Sequence, residues 1–176
     1  MRADWEREYA DYAAGALPRL QPMAYVLCGD RHRAADLVQN TLVTLYVKWP
    51  KVRAVQSLDA YVRKILLRHF LIERRQPWAR IRLTATVPDV VTGTGPPATE
   101  DRSLLVAALR RMPPRQRAVL VLRFLYDLPV EEVATLLDCS PGTVKSQTAR
   151  GLATMRGLLE EPIAVRTSAG STDGHG

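Results

Sequence analysis

The chain has little sulfur, little histidine and no long apolar run. Its two cysteines, Cys28 and Cys139, stand in Leu/Val-rich surroundings outside any CxxC or Cys/His cluster, so buried structural thiols are expected. The three histidines, His32, His69 and His175, are scattered, and no glycine-rich phosphate loop follows a strand. No metal, cofactor or catalytic constellation is therefore expected, which argues against an enzyme. Nothing approaches the ~20 apolar residues of a membrane span. The opening MRADWEREYADY is acidic and aromatic where a secretory leader is basic and then apolar. The sequence reads as cytoplasmic, without membrane insertion.

What is present is positive charge: 25 Lys and Arg against 18 Asp and Glu in 176 residues, a net +7. That surplus suits an anionic partner. Residues 1–83 carry 15 basic and 8 acidic side chains, whereas 103–161 carry 8 and 6. Between them, 84–102 (TATVPDVVTGTGPPATEDR) is rich in Pro, Gly and Thr and has no helical period, the composition of an extended linker. Each lobe is small enough to be marginal alone. A linker of this length has a typical span of ~25 Å and a fully stretched reach of ~65 Å, so the free chain should favour compact arrangements. The tail 162–176 reads as disordered.

Helical periodicity dominates both lobes and no alternating strand pattern competes, so the fold class is all-α, two small helical domains joined by a flexible linker. The clearest apolar stripe runs from Ala34 through Leu37, Val38, Thr41, Leu42, Leu45 and Tyr46 to Trp49. Gly29 is placed to end the preceding helix, Asp30 to cap this one and Pro50 to stop it, which predicts a helix over 31–49. Upstream, two helices are expected, the second reaching Cys28 with Pro22 as a kink or late start. Downstream, Ser57 can cap a helix continuing to about residue 75. The second lobe predicts helices over 103–111, 114–125, 130–137 and 141–160.

Two segments carry chemistry. Val130–Leu137, the turn Asp138-Cys139-Ser140 and the helix from Pro141 have the layout of a helix-turn-helix, with Ser140 as N-cap and Pro141 at the first helical position. Val144, Thr148, Gly151, Leu152, Met155 and Leu159 share a core face, and Thr143, Ser146, Ala149 and Arg150 lie opposite. From Pro141 to Met155 there is no acid, which suits a major groove lined by phosphates. The second segment, Tyr61–Arg82, holds seven Lys or Arg against the single acid Glu73, with Tyr61, His69, Phe70 and Trp78 interleaved. Flat rings among cations are what single-stranded nucleic acid needs, and packing in the core is the alternative for Tyr61 and Phe70. Opposite the stripe of helix 31–49, Asp36, Gln39, Asn40 and Thr44 form a polar face, either solvated or a docking surface.

Asp36-Leu37-Val38-Gln39 with Trp49, and Ala60-Tyr61-Val62-Arg63-Lys64-Ile65, resemble the promoter-melting domain (domain 2) of sigma-70-type RNA polymerase sigma factors. Leu109–Val119 and Val144-Lys145-Ser146 resemble domain 4 of that family. The short linker is similar to the extracytoplasmic-function (ECF) group, and within it to the actinobacterial SigE-family subset. The resemblance implies a sigma domain 2 over 1–83 and a sigma domain 4 over 103–161. It implies a transcription initiation factor whose partners are core RNA polymerase, promoter DNA and, as such factors often have, an anti-sigma factor. Asp36, Gln39 and Asn40 would dock on the polymerase. Arg53, Tyr61, Arg63, Lys64, Arg68, His69, Phe70, Arg74 and Arg75 would bind the unwound −10 strand. Thr143, Lys145, Ser146, Gln147, Ala149 and Arg150 would read the −35 duplex, and Arg110, Arg111, Arg115, Arg117 and Arg123 would lie near the polymerase flap and the DNA backbone. Arg68 and Gln147 depart from residues common in relatives, Asn and Arg respectively, so promoter preference does not transfer. The alternative is a helix-turn-helix regulator that binds duplex DNA without polymerase, which leaves the first lobe and the 61–82 segment unexplained.

Overall fold

The computed structural model describes residues 2–73 and 100–168, with side chains placed over 3–73 and 100–160. Most of the expected linker, together with Arg74, Arg75, Trp78 and the end of the tail, lies outside the described residues. Every regular element among the described residues is helical: α1 (Arg2–Cys28), α2 (Arg31–Val52), α3 (Leu58–Glu73), α4 (Glu100–Arg111), α5 (Pro114–Leu120), α6 (Val130–Leu137) and α7 (Pro141–Ser168). A π-helical turn over Val121–Leu125 prolongs α5.

The first lobe is α1, α2 and α3 packed on one another. Asp30 starts α2 as expected, its carboxylate accepting the Arg33 backbone N–H at 2.8 Å. Gly29, at φ 68°, closes α1, its N–H donating to the Tyr25 carbonyl at 2.7 Å. Two expectations about proline fail. α1 is one helix that contains Pro18 and Pro22, and α2 runs through Pro50 to Val52. All three prolines are exposed, so each carbonyl that loses its N–H partner faces water and the buried stripe continues past it. That stripe closes on Trp49, 1% exposed, against the rings of Tyr9 and Tyr12, each 5.4 Å away by ring centroid.

The second lobe follows the expected boundaries closely, with α4 beginning three residues early at Glu100. α6 and α7 form the helix-turn-helix. Asp138 ends α6 in the left-handed region at φ 50°, and the Ser140 hydroxyl accepts the Thr143 N–H at 3.1 Å. Gly151 lets α7 lie against α5, since a Cβ there would come within 3.0 Å of Leu120 Cγ. The backbone of α7 continues past the expected end at residue 160 to Ser168, into the segment read as disordered. Cys28 is buried and Cys139 only partly so, because the turn it occupies is on the rim of the lobe. The two lobes share one apolar cluster that includes Leu27, Phe70, Leu109, Met112 and Ala118.

Candidate nucleic-acid interface

Three surfaces carry the residues singled out above. The first is a cleft of about 410 Å³ between α2 and α3, lined by Thr44, Lys48, Tyr61, Lys64, Arg68 and His69. The rise of α3 brings Tyr61, Lys64, Arg68 and His69 onto one side of the helix, and α2 supplies the opposite wall. Thr44, read from sequence as part of the outer polar face, instead turns into this cleft and shares a 2.8 Å hydrogen bond with His69 Nε2. Lys48 was not anticipated; its place one turn after Thr44 was the available signal. Burial, then the neighbouring Arg68 and Lys48 charges, push the His69 pKa below its ordinary 6.5 despite Glu73, so the ring is neutral at neutral pH.

That depression has a sign. Below pH 6.5 the unfolded chain takes up a proton before folded His69 does, so the His69 contribution is present above 6.5 and is lost as pH falls through the lower folded pKa. An NMR titration should place the His69 midpoint below 6.5, and acidification from pH 7 should lower the urea midpoint less in a His69→Gln variant; a midpoint at or above 6.5 contradicts the packing described.

Not every expected −10 residue reaches this cleft. Phe70 is fully buried, with the Arg117 guanidinium 5.8 Å from its ring centroid, so the sequence-level expectation that it stacks on bases is corrected to a core role. Arg63 is ion-paired to Glu132 of the second lobe at 3.8 Å, and Lys64, although it lines the cleft, is paired to Asp138 of that lobe at 2.7 Å. Arg53, just after α2, pairs with Glu8 of α1 at 2.7 Å. Arg74 and Arg75 lie outside the described residues.

The second surface is the outer face of α2. Asp36, Gln39 and Asn40 are all exposed there, and the same face continues through Val43 and Val47, 56% and 74% exposed. Those two valines were missed; their step of four from Gln39 was legible. Beside them a groove of about 360 Å³ is lined by Tyr9, Leu17, Val38, Leu42 and Tyr46. Tyr46, assigned from sequence to the buried stripe, is partly exposed and packs its ring on Trp5 and Tyr9 at 5.4 and 5.1 Å.

The third surface is the start of α7. Lys145, Ser146, Ala149 and Arg150 are exposed, and Thr143 and Gln147 are half-buried beside them. The Ser146 hydroxyl donates to the Thr143 carbonyl at 3.0 Å. Leu152 and Leu159, expected in the core, are exposed at 44% and 40%, while Val144 and Gly151 are buried and Met155 and Leu158 pack against the apolar cluster. Among the five arginines expected to point outward, Arg111 and Arg115 are exposed, Arg110 and Arg123 half-buried, and Arg117 is only 1% exposed. Arg117 instead donates to the carbonyls of Leu27 at 2.6 Å, Arg110 at 2.5 Å and Met112 at 3.0 Å. Its guanidinium therefore caps the C-terminal ends of α1 and α4 together, where helix carbonyls lack partners and the dipole favours a cation.

Comparison with known proteins places both lobes. Residues 15–80 match the family model for sigma-70 region 2, and residues 102–155 match that for sigma-70 region 4. The chain is 34% identical over 158 residues to the RNA polymerase sigma-E factor of Streptomyces avermitilis, covering 87% of this chain and 86% of that one. It is 35% identical over 162 residues to the Streptomyces coelicolor RNA polymerase sigma-E factor, covering 89% and 87%.

The chain belongs to the sigma-70 family. Within it, the chain is an ECF sigma factor, 32% identical over 168 residues to the ECF factor SigE of Mycolicibacterium smegmatis, with 87% of this chain and 59% of that one covered. The sigma factor's fold is shared with the sigma factor RpoE of Bartonella quintana, solved in complex with the anti-sigma factor NepR, at a TM-score of 0.68, 23% identity and coverage of 88% and 98%. CnrH, solved with the cytosolic domain of CnrY, matches at a TM-score of 0.61, 19% identity and coverage of 89% and 90%. The region 2 match runs from within α1 through α3 and the region 4 match from within α4 into α7, so this is a promoter-directing factor of RNA polymerase and not a free-standing helix-turn-helix regulator. Among the described residues no helix is long and apolar enough to cross a membrane.

Proposed function

We propose that this sigma factor docks on core RNA polymerase through Asp36, Gln39, Asn40, Val43 and Val47 of α2. The cleft of Tyr61, Arg68 and His69 binds the melted −10 strand, and Lys145, Ser146, Ala149 and Arg150 of α7 read the −35 duplex. The observation that carries this reading is the exposed, acid-free first half of α7 standing on a capped helix-turn-helix while a separate cleft of rings and cations lies on α3. A duplex is read by side chains on a helix in the major groove. A melted strand is held by stacking and backbone charge. The factor acts in the cytoplasm, without chemistry of its own, and has an anti-sigma factor among its partners, as the structural neighbour RpoE has in NepR.

The two DNA surfaces should fail differently. In the polymerase holoenzyme, Tyr61→Ala/Arg68→Ala should leave −35 duplex protection intact and suppress permanganate reactivity of promoter thymines; normal melting by that variant contradicts the stacking role. Arg150→Ala should lower −35 affinity by ~1–3 kcal/mol and relax preference at one base pair if the side chain reaches a base edge. A loss uniform across sequences would reassign Arg150 to a phosphate contact.

A further inference from the structure

Two neighbouring strips of α2 face outward. Val43 and Val47 belong to the docking face, whereas Thr44 and Lys48, each one residue and so about 100° further round the helix, line the cleft against α3. On the other wall Tyr61, Ile65, Arg68, His69 and Ile72 follow one another at helical spacing, and Ile72 at the far end is 47% exposed. A ring, aliphatic carbons and cations are thus presented together over ~16 Å of α3. Lys48 and Arg68 are both exposed and make no ion pair among the described residues.

We propose, on the reading of this cleft as the −10 surface, that His69 reads the edge of one base of the melted strand, with Thr44 orienting its ring and Lys48 holding the adjoining phosphate. α2 then serves promoter choice as well as polymerase docking. The hydrogen bond of 2.8 Å between Thr44 Oγ1 and His69 Nε2 joins residues 25 apart in sequence, fixes the plane of the imidazole and leaves Nδ1 as its other polar atom. Thr44 is itself held firmly, since Thr41 and Leu45 of the same turn are buried.

The charge state of the ring fits reading better than plain phosphate binding. Burial, with Arg68 and Lys48 alongside, keeps His69 neutral, and Glu73, which pulls the other way, is paired with Arg33 at 3.7 Å. A neutral imidazole has one donor and one acceptor nitrogen, so with Nε2 engaged by Thr44 the ring offers a base either a donor or an acceptor, never both. That choice discriminates between base edges, whereas a contact to phosphate carries no sequence information. Tyr61 supplies a flat face for stacking in the same cleft. Because Val47 and Lys48 are consecutive, the phosphate held by Lys48 lies at the border of the polymerase interface.

The test uses polymerase holoenzyme carrying the full-length chain, run-off transcription from a library randomised across the −10 element, and sequencing of the transcripts. His69→Ala should flatten the preference at one −10 position at least fivefold and keep the ranking at the other positions. Thr44→Val preserves side-chain shape without the hydroxyl and should flatten the same position at least threefold; Thr44→Ser, which keeps the hydroxyl, should restore it. Lys48→Ala should lower output from all −10 sequences alike and make open-complex formation less sensitive to salt.

An unchanged preference, or a loss spread evenly over all positions, in both His69→Ala and Thr44→Val would overturn His69 as a base reader. Suppressed permanganate reactivity in Tyr61→Ala/Arg68→Ala would then still leave the cleft as the −10 surface. Normal melting by that double variant would overturn the two readings together.

Discussion

Asp36→Arg should weaken binding of the chain to core RNA polymerase at least tenfold without changing its helical circular dichroism. Asp36 is exposed and heads a continuous outer face of α2 that runs through Gln39, Asn40, Val43 and Val47. An acid among polar residues followed by two bare valines on one helix face is a polar rim beside an apolar centre, the layout of a protein interface. Losing one partner of a desolvated charged contact costs ~2–5 kcal/mol, and reversal adds repulsion. Val47→Glu should act in the same direction, since Val47 is 74% exposed and makes little contribution to the core. Fluorescence titration against core enzyme measures both; unchanged affinity in both variants would remove α2 from the interface.

Trp49→Ala should destabilise the chain by ~3–5 kcal/mol, a large share of the ~5–15 kcal/mol that holds a typical domain folded. Trp49 is 1% exposed and stands where α2 meets Tyr9 and Tyr12 of α1, so truncation opens a cavity bounded by aromatic rings that cannot collapse freely. Its buried indole N–H makes no hydrogen bond among the described residues, so Trp49→Phe loses packing but no polar partner. The phenylalanine variant should therefore cost less than half as much. Urea denaturation followed by circular dichroism reads both, and an alanine cost below ~1 kcal/mol would contradict the packing.

Helix ends were legible in the sequence where a side chain caps locally. Asp30 and Ser140 do at the start of α2 and α7 what their residue types lead one to expect. The exposed start of α7 was legible too, because wheel position and the absence of acids are local properties. Proline misled for a physical reason: Pro18, Pro22 and Pro50 sit on wet faces, and periodicity alone does not show which side of a helix can spare a hydrogen bond. The π-turn at Val121–Leu125 has no composition signature and was read as continuous helix.

The larger misses concern which side chains the other lobe covers. Arg117 looks like any surface arginine until the carbonyl ends of α1 and α4 converge on it, and those ends lie far apart in sequence. Phe70 belongs to a ring-and-cation pattern that suits DNA, yet its ring is packed under Arg117. Arg63 and Lys64 kept the expected chemistry but acquired partners, Glu132 and Asp138, that only the docking of region 4 on α3 supplies. Sequence pattern reports the face a helix offers; what meets that face is settled by tertiary packing.

The central claim, that this chain selects promoters for RNA polymerase through two separate DNA surfaces, is tested most directly by run-off transcription. Bacterial core polymerase, with and without the purified chain, is given a promoter library randomised at the −10 and −35 elements, and the transcripts are sequenced. The account predicts defined start sites only when the chain is present, with selection at both elements. It also predicts that the −35 preference relaxes at one base pair on Arg150→Ala and that output falls on Tyr61→Ala/Arg68→Ala. No defined transcript with the chain present, alongside sequence-specific binding of duplex DNA by the chain alone, would contradict it.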